Sequence, residues 1–198
     1  MAQPFRVFEP NVSVHVIHRG NNHCTIFGDD GDYELFLLFL KRAVARCGVA
    51  VHAFTLMTTH YHMIATPNDG LALPRAMQIA NGRYVHHFNR RYDRVGTLFN
   101  GRYRAIPIEN ELYWLACLRY VELNPVRARM VHDPATYPWS SYRLHAHGDP
   151  LDWISTHPLY DALGRDNAER QAVYRGMCMT PLRDAEVLVQ KFHAESAI

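Results

Sequence analysis

His60 and His62 flank Tyr61 in the segment HYHMIAT at residues 60–66. Strand side chains alternate, so as a strand this segment presents both imidazoles on one face and turns Tyr61 and Met63 to the other. Two neutral imidazoles on a stiff mount can hold a divalent ion. The same spacing also fits a hydrogen-bonded or surface pair. His145 and His147 repeat the spacing inside a Gly/Pro-bounded loop with no partner motif nearby, and read as incidental.

Tyr120 and Asn124 stand four residues apart in an apolar helical pattern, which puts them on one face about one turn apart. A tyrosine hydroxyl aimed at a phosphate in a basic environment can act as a nucleophile and form a phosphotyrosine link. The amide oxygen of Asn124 suits a neutral third metal ligand. Spacing alone equally admits Tyr120 as a tyrosine at the edge of the core. It also admits Asn124-Pro125 as the cap and first turn of a following helix.

The elements that would carry these groups are legible from periodicity. Val12, Val14 and Val16 alternate with Ser13, His15 and Ile17, the pattern of a strand. Tyr33, Phe36, Leu37, Leu40 and Val44 recur at helical spacing from Asp30 to about Cys47, with Asp29 or Asp30 to cap and Gly48 to terminate. Residues 49–57 and 60–66 read as two strands separated only by Thr58-Thr59, hence a hairpin, although the turn lacks Asn-Gly chemistry. A second helix opens at Leu73-Pro74 and runs towards Tyr92, and a strand follows at about 102–108. A third helix spans 109–123 and is interrupted at Asn124-Pro125. Further helical segments lie near 167–177 and 182–193.

The order strand, helix, strand, strand, helix, strand predicts an α+β fold of the ferredoxin-like, split βαβ kind. It is an antiparallel sheet with helices packed on one face, followed by added C-terminal helices. The expected organisation is a core domain at 1–148 and a helical extension at 149–198.

With 48% hydrophobic residues, the 198-residue chain can bury a core of its own. Cys24, Cys47, Cys117 and Cys178 are widely spaced and form no C-x-x-C pair, which argues against a disulfide framework or a thiolate zinc site. A reducing cytoplasm is the expected location. No run approaches the length of a membrane span, and the N-terminus lacks a leader pattern. Net charge is +2, yet residues 83–129 hold nine arginines against four acids, +5, which leaves −3 for the remainder. Those arginines alternate with Tyr84, Phe88, Tyr92, Phe99 and Tyr103. Such a surface suits unpaired nucleic acid, and equally describes a solvated basic face.

Five strings, in order, carry a resemblance: VHVIHRGNN at 14–22, LMTTHYHMIATP at 56–67, NGRYVHHFNRRYDRVGTLFNGRY at 81–103, LRYVELNPVRARMV at 118–131 and YPWSSYR at 137–143. Together they resemble the landmarks of the REP-associated tyrosine transposases, a branch of the single-tyrosine HUH transposase superfamily. The resemblance covers about residues 10–145. Relatives often carry Pro-Asn where this chain has Thr58-Thr59, a departure that touches the turn and not the histidines.

The resemblance implies that His60 and His62 are the paired histidines of the HUH motif, Tyr120 the nucleophile and Asn124 the third metal ligand, with Mg²⁺ or Mn²⁺ as the cofactor. It implies cleavage and rejoining of single-stranded DNA hairpins from repetitive extragenic palindromes through a 5′-phosphotyrosine intermediate. Arg83, Arg90, Arg91, Arg102 and Arg104 are the candidate DNA contacts. A monomer is expected, associated with the nucleoid and not with a membrane. Two rivals follow from the same residues. One is a domesticated palindrome-binding protein with little or no catalysis. The other is a zinc hydrolase, against which stands the lack of an acidic third ligand or an H-E-x-x-H helix.

Overall fold

A computed structural model describes residues 6–180. Four strands, β1 (Val14–Arg19), β2 (Val49–Met57), β3 (His60–Pro67) and β4 (Arg104–Pro107), form one sheet in the order β2-β3-β1-β4. Every pairing is antiparallel. Helix α1 (Asp30–Cys47) links β1 to β2, and α2 (Ala72–Arg91) links β3 to β4. Each crossover therefore joins two parallel strands with a third between them, the split βαβ arrangement.

Helix α1 begins where Asp29 accepts a hydrogen bond from the Asp32 amide and ends where Gly48 adopts φ 73°, a left-handed cap that glycine takes without strain. Its buried face of Tyr33, Phe36, Leu40, Ala43 and Val44 packs with α2 on the sheet face lined by Val14, Val16, Tyr61 and Met63. The opposite face is covered by α3 (Glu111–Glu122), α5 (Tyr142–His147), α6 (Pro158–Asp161) and α7 (Asn167–Met179), which bury Trp114, Leu118, Tyr142, Tyr160 and Tyr174 over Ala53 and Ile64. The short helix α4 (Asn124–Arg127) follows α3 directly. The two crossover helices thus lie on one face, as the sequence predicts, and the added helices cover the other. The segment expected to be helical at 182–193 lies outside the described residues.

The hairpin closes with Met57 opposite His60. Neither threonine of its turn has a positive φ, so the favoured Asn-Gly conformation is not used. Instead the backbone carbonyls of Thr58 and Thr59 accept hydrogen bonds from the amides of Ile26 and Gly20. Tertiary bonds brace a turn that lacks its own chemistry. The outer edge of β2 is covered as well: the Trp139 carbonyl accepts from the Leu56 amide, and the Ser141 amide donates to the Phe54 carbonyl.

Candidate active site

The pairing of β3 with β1 decides what surrounds the two histidines. His60 stands opposite Arg19 and His62 opposite Ile17, so His15, Ile17, Arg19, His60 and His62 share one face of the sheet. The rings of His60 and His62 lie 5.0 Å apart, nearly perpendicular. Helix α3 crosses this face. It sets the Tyr120 ring 5.7 Å from His62 and 6.0 Å from His15, edge-on to both. Thr55 on β2 fixes the end of the helix by donating to the Val121 carbonyl at 2.7 Å. The sequence candidates at 60, 62 and 120 therefore converge.

Burial sets the electrostatics. The Tyr120 side chain is 8% exposed, and desolvation pushes its phenol up to about 12, with the Arg127 and Arg19 charges pulling in the opposite direction. The Arg127 guanidinium lies over the Tyr120 ring, 4.5 Å from its centroid. His60 is lowered to about 4, first by burial and then by the cationic Arg19 and by His23. It is neutral at physiological pH, the form that offers a lone pair to a metal.

The pair fits a divalent ion in a second way. His62 Nδ1 lies 3.1 Å from His15 Nε2, and His60 Nδ1 lies 3.1 Å from Thr59 Oγ1. With each Nδ1 facing a hydrogen-bonding partner, ligation falls to Nε2. Among the described residues no group of three or more His, Cys, Asp and Glu side chains could hold a metal, so a third protein ligand would have to be of another type. Asn124 is buried beside Tyr120, and its amide nitrogen donates to the carbonyls of Tyr120 at 2.8 Å and Val121 at 3.3 Å. It closes the end of α3 rather than capping α4, whose N-cap is Leu123. These bonds use the nitrogen of the amide, and the oxygen is the atom a metal would take.

The arginines of the sequence reading are not brought together. Arg104 lies opposite Ile17 on β4 and is exposed on the same sheet face as the histidines. Arg83 and Arg90 are exposed on α2, in the layer beyond the other face. Arg102 lines a cavity of about 340 Å³ with Arg6, His18, Asn81 and Tyr103. Arg91 is engaged within the protein: it pairs with Asp29 at 2.5 Å and with the fully buried Asp32 at 2.8 Å, tying α2 to the start of α1.

Three groups near the site escaped sequence reasoning: His15, Arg19 and Arg127. The alternation of β1 puts His15 and Arg19 on one face, but only the strand register shows that this is the face of His60 and His62. His145 is likewise not incidental. It lies on α5 rather than in a loop and is fully buried, with Nδ1 2.8 Å from Glu122 Oε1. Ser141 donates to that same oxygen, and Tyr174 donates to Glu122 Oε2 at 2.6 Å. The phenol of Tyr174 is raised well above its ordinary value, first by burial and then by the carboxylate. This node ties α3, two residues beyond Tyr120, to α5 and α7.

Among the described residues no helix is long and apolar enough to cross a membrane. Comparison with curated proteins returns no match. The family described as "Transposase IS200 like" matches residues 9–124. Among solved structures, a REP-associated tyrosine transposase bound to a REP hairpin superposes with a TM-score of 0.62 at 16% identity, over 78% of this chain and 92% of that one. At that identity the likeness establishes the fold. A candidate transposase from Deinococcus radiodurans R1 has a TM-score of 0.41 at 14% identity, covering 65% of this chain and 92% of its own. The tRNA(His) guanylyltransferase of Saccharomyces cerevisiae has 0.46 at 12%, covering 92% and 84%. Both scores are too low to carry an argument.

Proposed function

The chain belongs to the IS200-like transposase family, and from that footing we propose that it cleaves and rejoins single-stranded DNA hairpins with Tyr120 as the nucleophile. The observation that carries this reading is the placement of the Tyr120 ring, 5.7 Å from the second of two histidines that share one face of β3. The substrate class, hairpins of repetitive extragenic palindromes, is supported by the fold likeness to a protein bound to such a hairpin.

His60 and His62, with the Asn124 amide oxygen as a third donor, would hold Mg²⁺ or Mn²⁺. When bound, the ion supplies Lewis-acid polarisation of a non-bridging phosphate oxygen. The Tyr120 oxygen attacks phosphorus, forming a Tyr–O–P bond, and the bond from phosphorus to the 3′ oxygen breaks. The phenolic proton passes to solvent and the departing 3′ oxygen is protonated. A 3′-hydroxyl can then attack the 5′-phosphotyrosine and regenerate Tyr120, so the strand is rejoined without a nucleotide cofactor. Arg19 and Arg104, on the same sheet face, are assigned to the backbone phosphates. The reading is of a monomer at the nucleoid. Residues 1–148 carry the chemistry, and α7, within the extension assigned to 149–198, steadies α3 through Tyr174.

Incubation with a hairpin oligonucleotide and Mn²⁺, resolved on a denaturing gel, tests it. A covalent adduct that Tyr120→Phe abolishes is the expected result. Cleavage that persists in Tyr120→Phe would point to a metal hydrolase, and binding with neither cleavage nor adduct to a palindrome-binding protein.

A further inference from the structure

His15 sits on β1, fully buried, with Nε2 3.1 Å from Nδ1 of His62. Its strand is held against β3 by antiparallel pairing that runs from Val14 opposite Ala65 to Arg19 opposite His60. The two imidazoles are tilted by 33° with centroids 5.3 Å apart, close enough to bond edge to edge and too crowded to turn independently. Two imidazole nitrogens at this separation share one proton between them. If His62 Nδ1 carries it, the lone pair of His62 lies on Nε2. If His15 Nε2 carries it, His62 Nδ1 is the acceptor and the single N–H proton of a neutral His62 ring sits on Nε2, where it blocks a cation.

We propose that His15 is the positioning residue of the metal site, accepting the Nδ1 proton of His62 and so holding that ring in the tautomer and orientation that present Nε2 to a divalent ion. The inference rests on the reading of His60 and His62 as metal ligands. His15 does not itself touch the ion. It acts through His62, and because its ring also stands 6.0 Å from that of Tyr120, it sets the wall against which the nucleophile packs. A partner of this kind is worth roughly 10–100-fold in metal affinity.

The test uses the full chain and Mn²⁺ alone, without DNA, following free Mn²⁺ by electron paramagnetic resonance and the nitrogen couplings of the bound ion. His15→Gln places an amide oxygen near the position of Nε2, whereas His15→Asn is equally polar but too short to reach His62. The expected result is Mn²⁺ affinity roughly 10–100-fold weaker in His15→Asn and within a few-fold of the parent in His15→Gln. Both variants should keep two histidine nitrogens on the ion and a cooperative thermal transition.

Equal affinity in both variants and the parent would overturn the inference while leaving the metal reading intact. Loss of one nitrogen coupling in His15→Gln would overturn it too, by making His15 a ligand. If Mn²⁺ binding by the parent is indifferent to His60→Ala and His62→Ala, the metal reading itself fails and the inference falls with it.

Discussion

The guanidinium of Arg127 lies over the Tyr120 ring, its central carbon 4.5 Å from the ring centroid. The two residues are seven apart, one on α3 and the other at the end of α4, with Leu123 the junction of the two helices between them. The cation opposes the burial that raises the Tyr120 phenol to about 12.

From that contact, Arg127→Gln should slow formation of the covalent adduct. Arg127 is half-buried, and a cation–π contact of about 1–2 kcal/mol corresponds to roughly five- to thirty-fold in rate. Single-turnover cleavage of a hairpin oligonucleotide measures it. A rate equal to the parent would show that Arg127 does not assist the nucleophile.

The Glu122 node makes a prediction about stability. Tyr174→Phe leaves one carboxylate oxygen without its 2.6 Å donor in a fully buried site. Leaving such a group unsatisfied costs about 1–3 kcal/mol, and urea unfolding should show a loss of that size. Glu122 is two residues from Tyr120, so the same variant should also lower the adduct yield at equal hairpin affinity. An unchanged unfolding midpoint would mean that the node does not hold α3.

Acid stability follows from two buried histidines outside the candidate site. His18, beside Tyr61 and Asn81, and His52, facing His157, His145 and Thr66, are each lowered from 6.5 to about 4, chiefly by burial. The unfolded chain binds their protons more readily than the folded one. Their contribution is therefore complete above pH 6.5 and is lost as pH falls from 6.5 towards 4. At about 1.4 kcal/mol per pH unit, each removes up to roughly 3 kcal/mol by pH 4. Urea unfolding at a series of pH values should show the loss, and His52→Gln should flatten it. A slope that His52→Gln leaves unaltered would contradict the assignment.

The arginines should separate by position. Arg104→Ala, on the site face, should weaken hairpin binding and reduce the salt slope by about 1. Arg91→Ala, which breaks the bonds to Asp29 and Asp32, should instead lower the thermal midpoint and leave the salt slope unchanged. Fluorescence anisotropy across a salt series, with thermal scans, distinguishes them. Equal effects on the salt slope would mean that Arg91 leaves its carboxylates to reach DNA.

Element boundaries were readable because their causes are local. Asp29 and Gly48 bound α1 where the periodicity and capping chemistry say they should, and the alternation of β3 alone puts His60 and His62 on one face. The arginines were misleading as a group because composition counts charge without direction. Arg91 faces Asp32 and Arg104 faces the site, a difference set by helix docking and sheet register.

The sequence by itself thus determined the fold class, the paired histidines and the candidate nucleophile, all of which depend on residues near one another in the chain or on an ordered set of motifs. Only the tertiary structure decided what those groups touch. His15 meets His62 across 47 positions, and Glu122 meets Tyr174 across 52. Contacts at such separations depend on strand register and on the side of the sheet each helix covers, and no local periodicity encodes either.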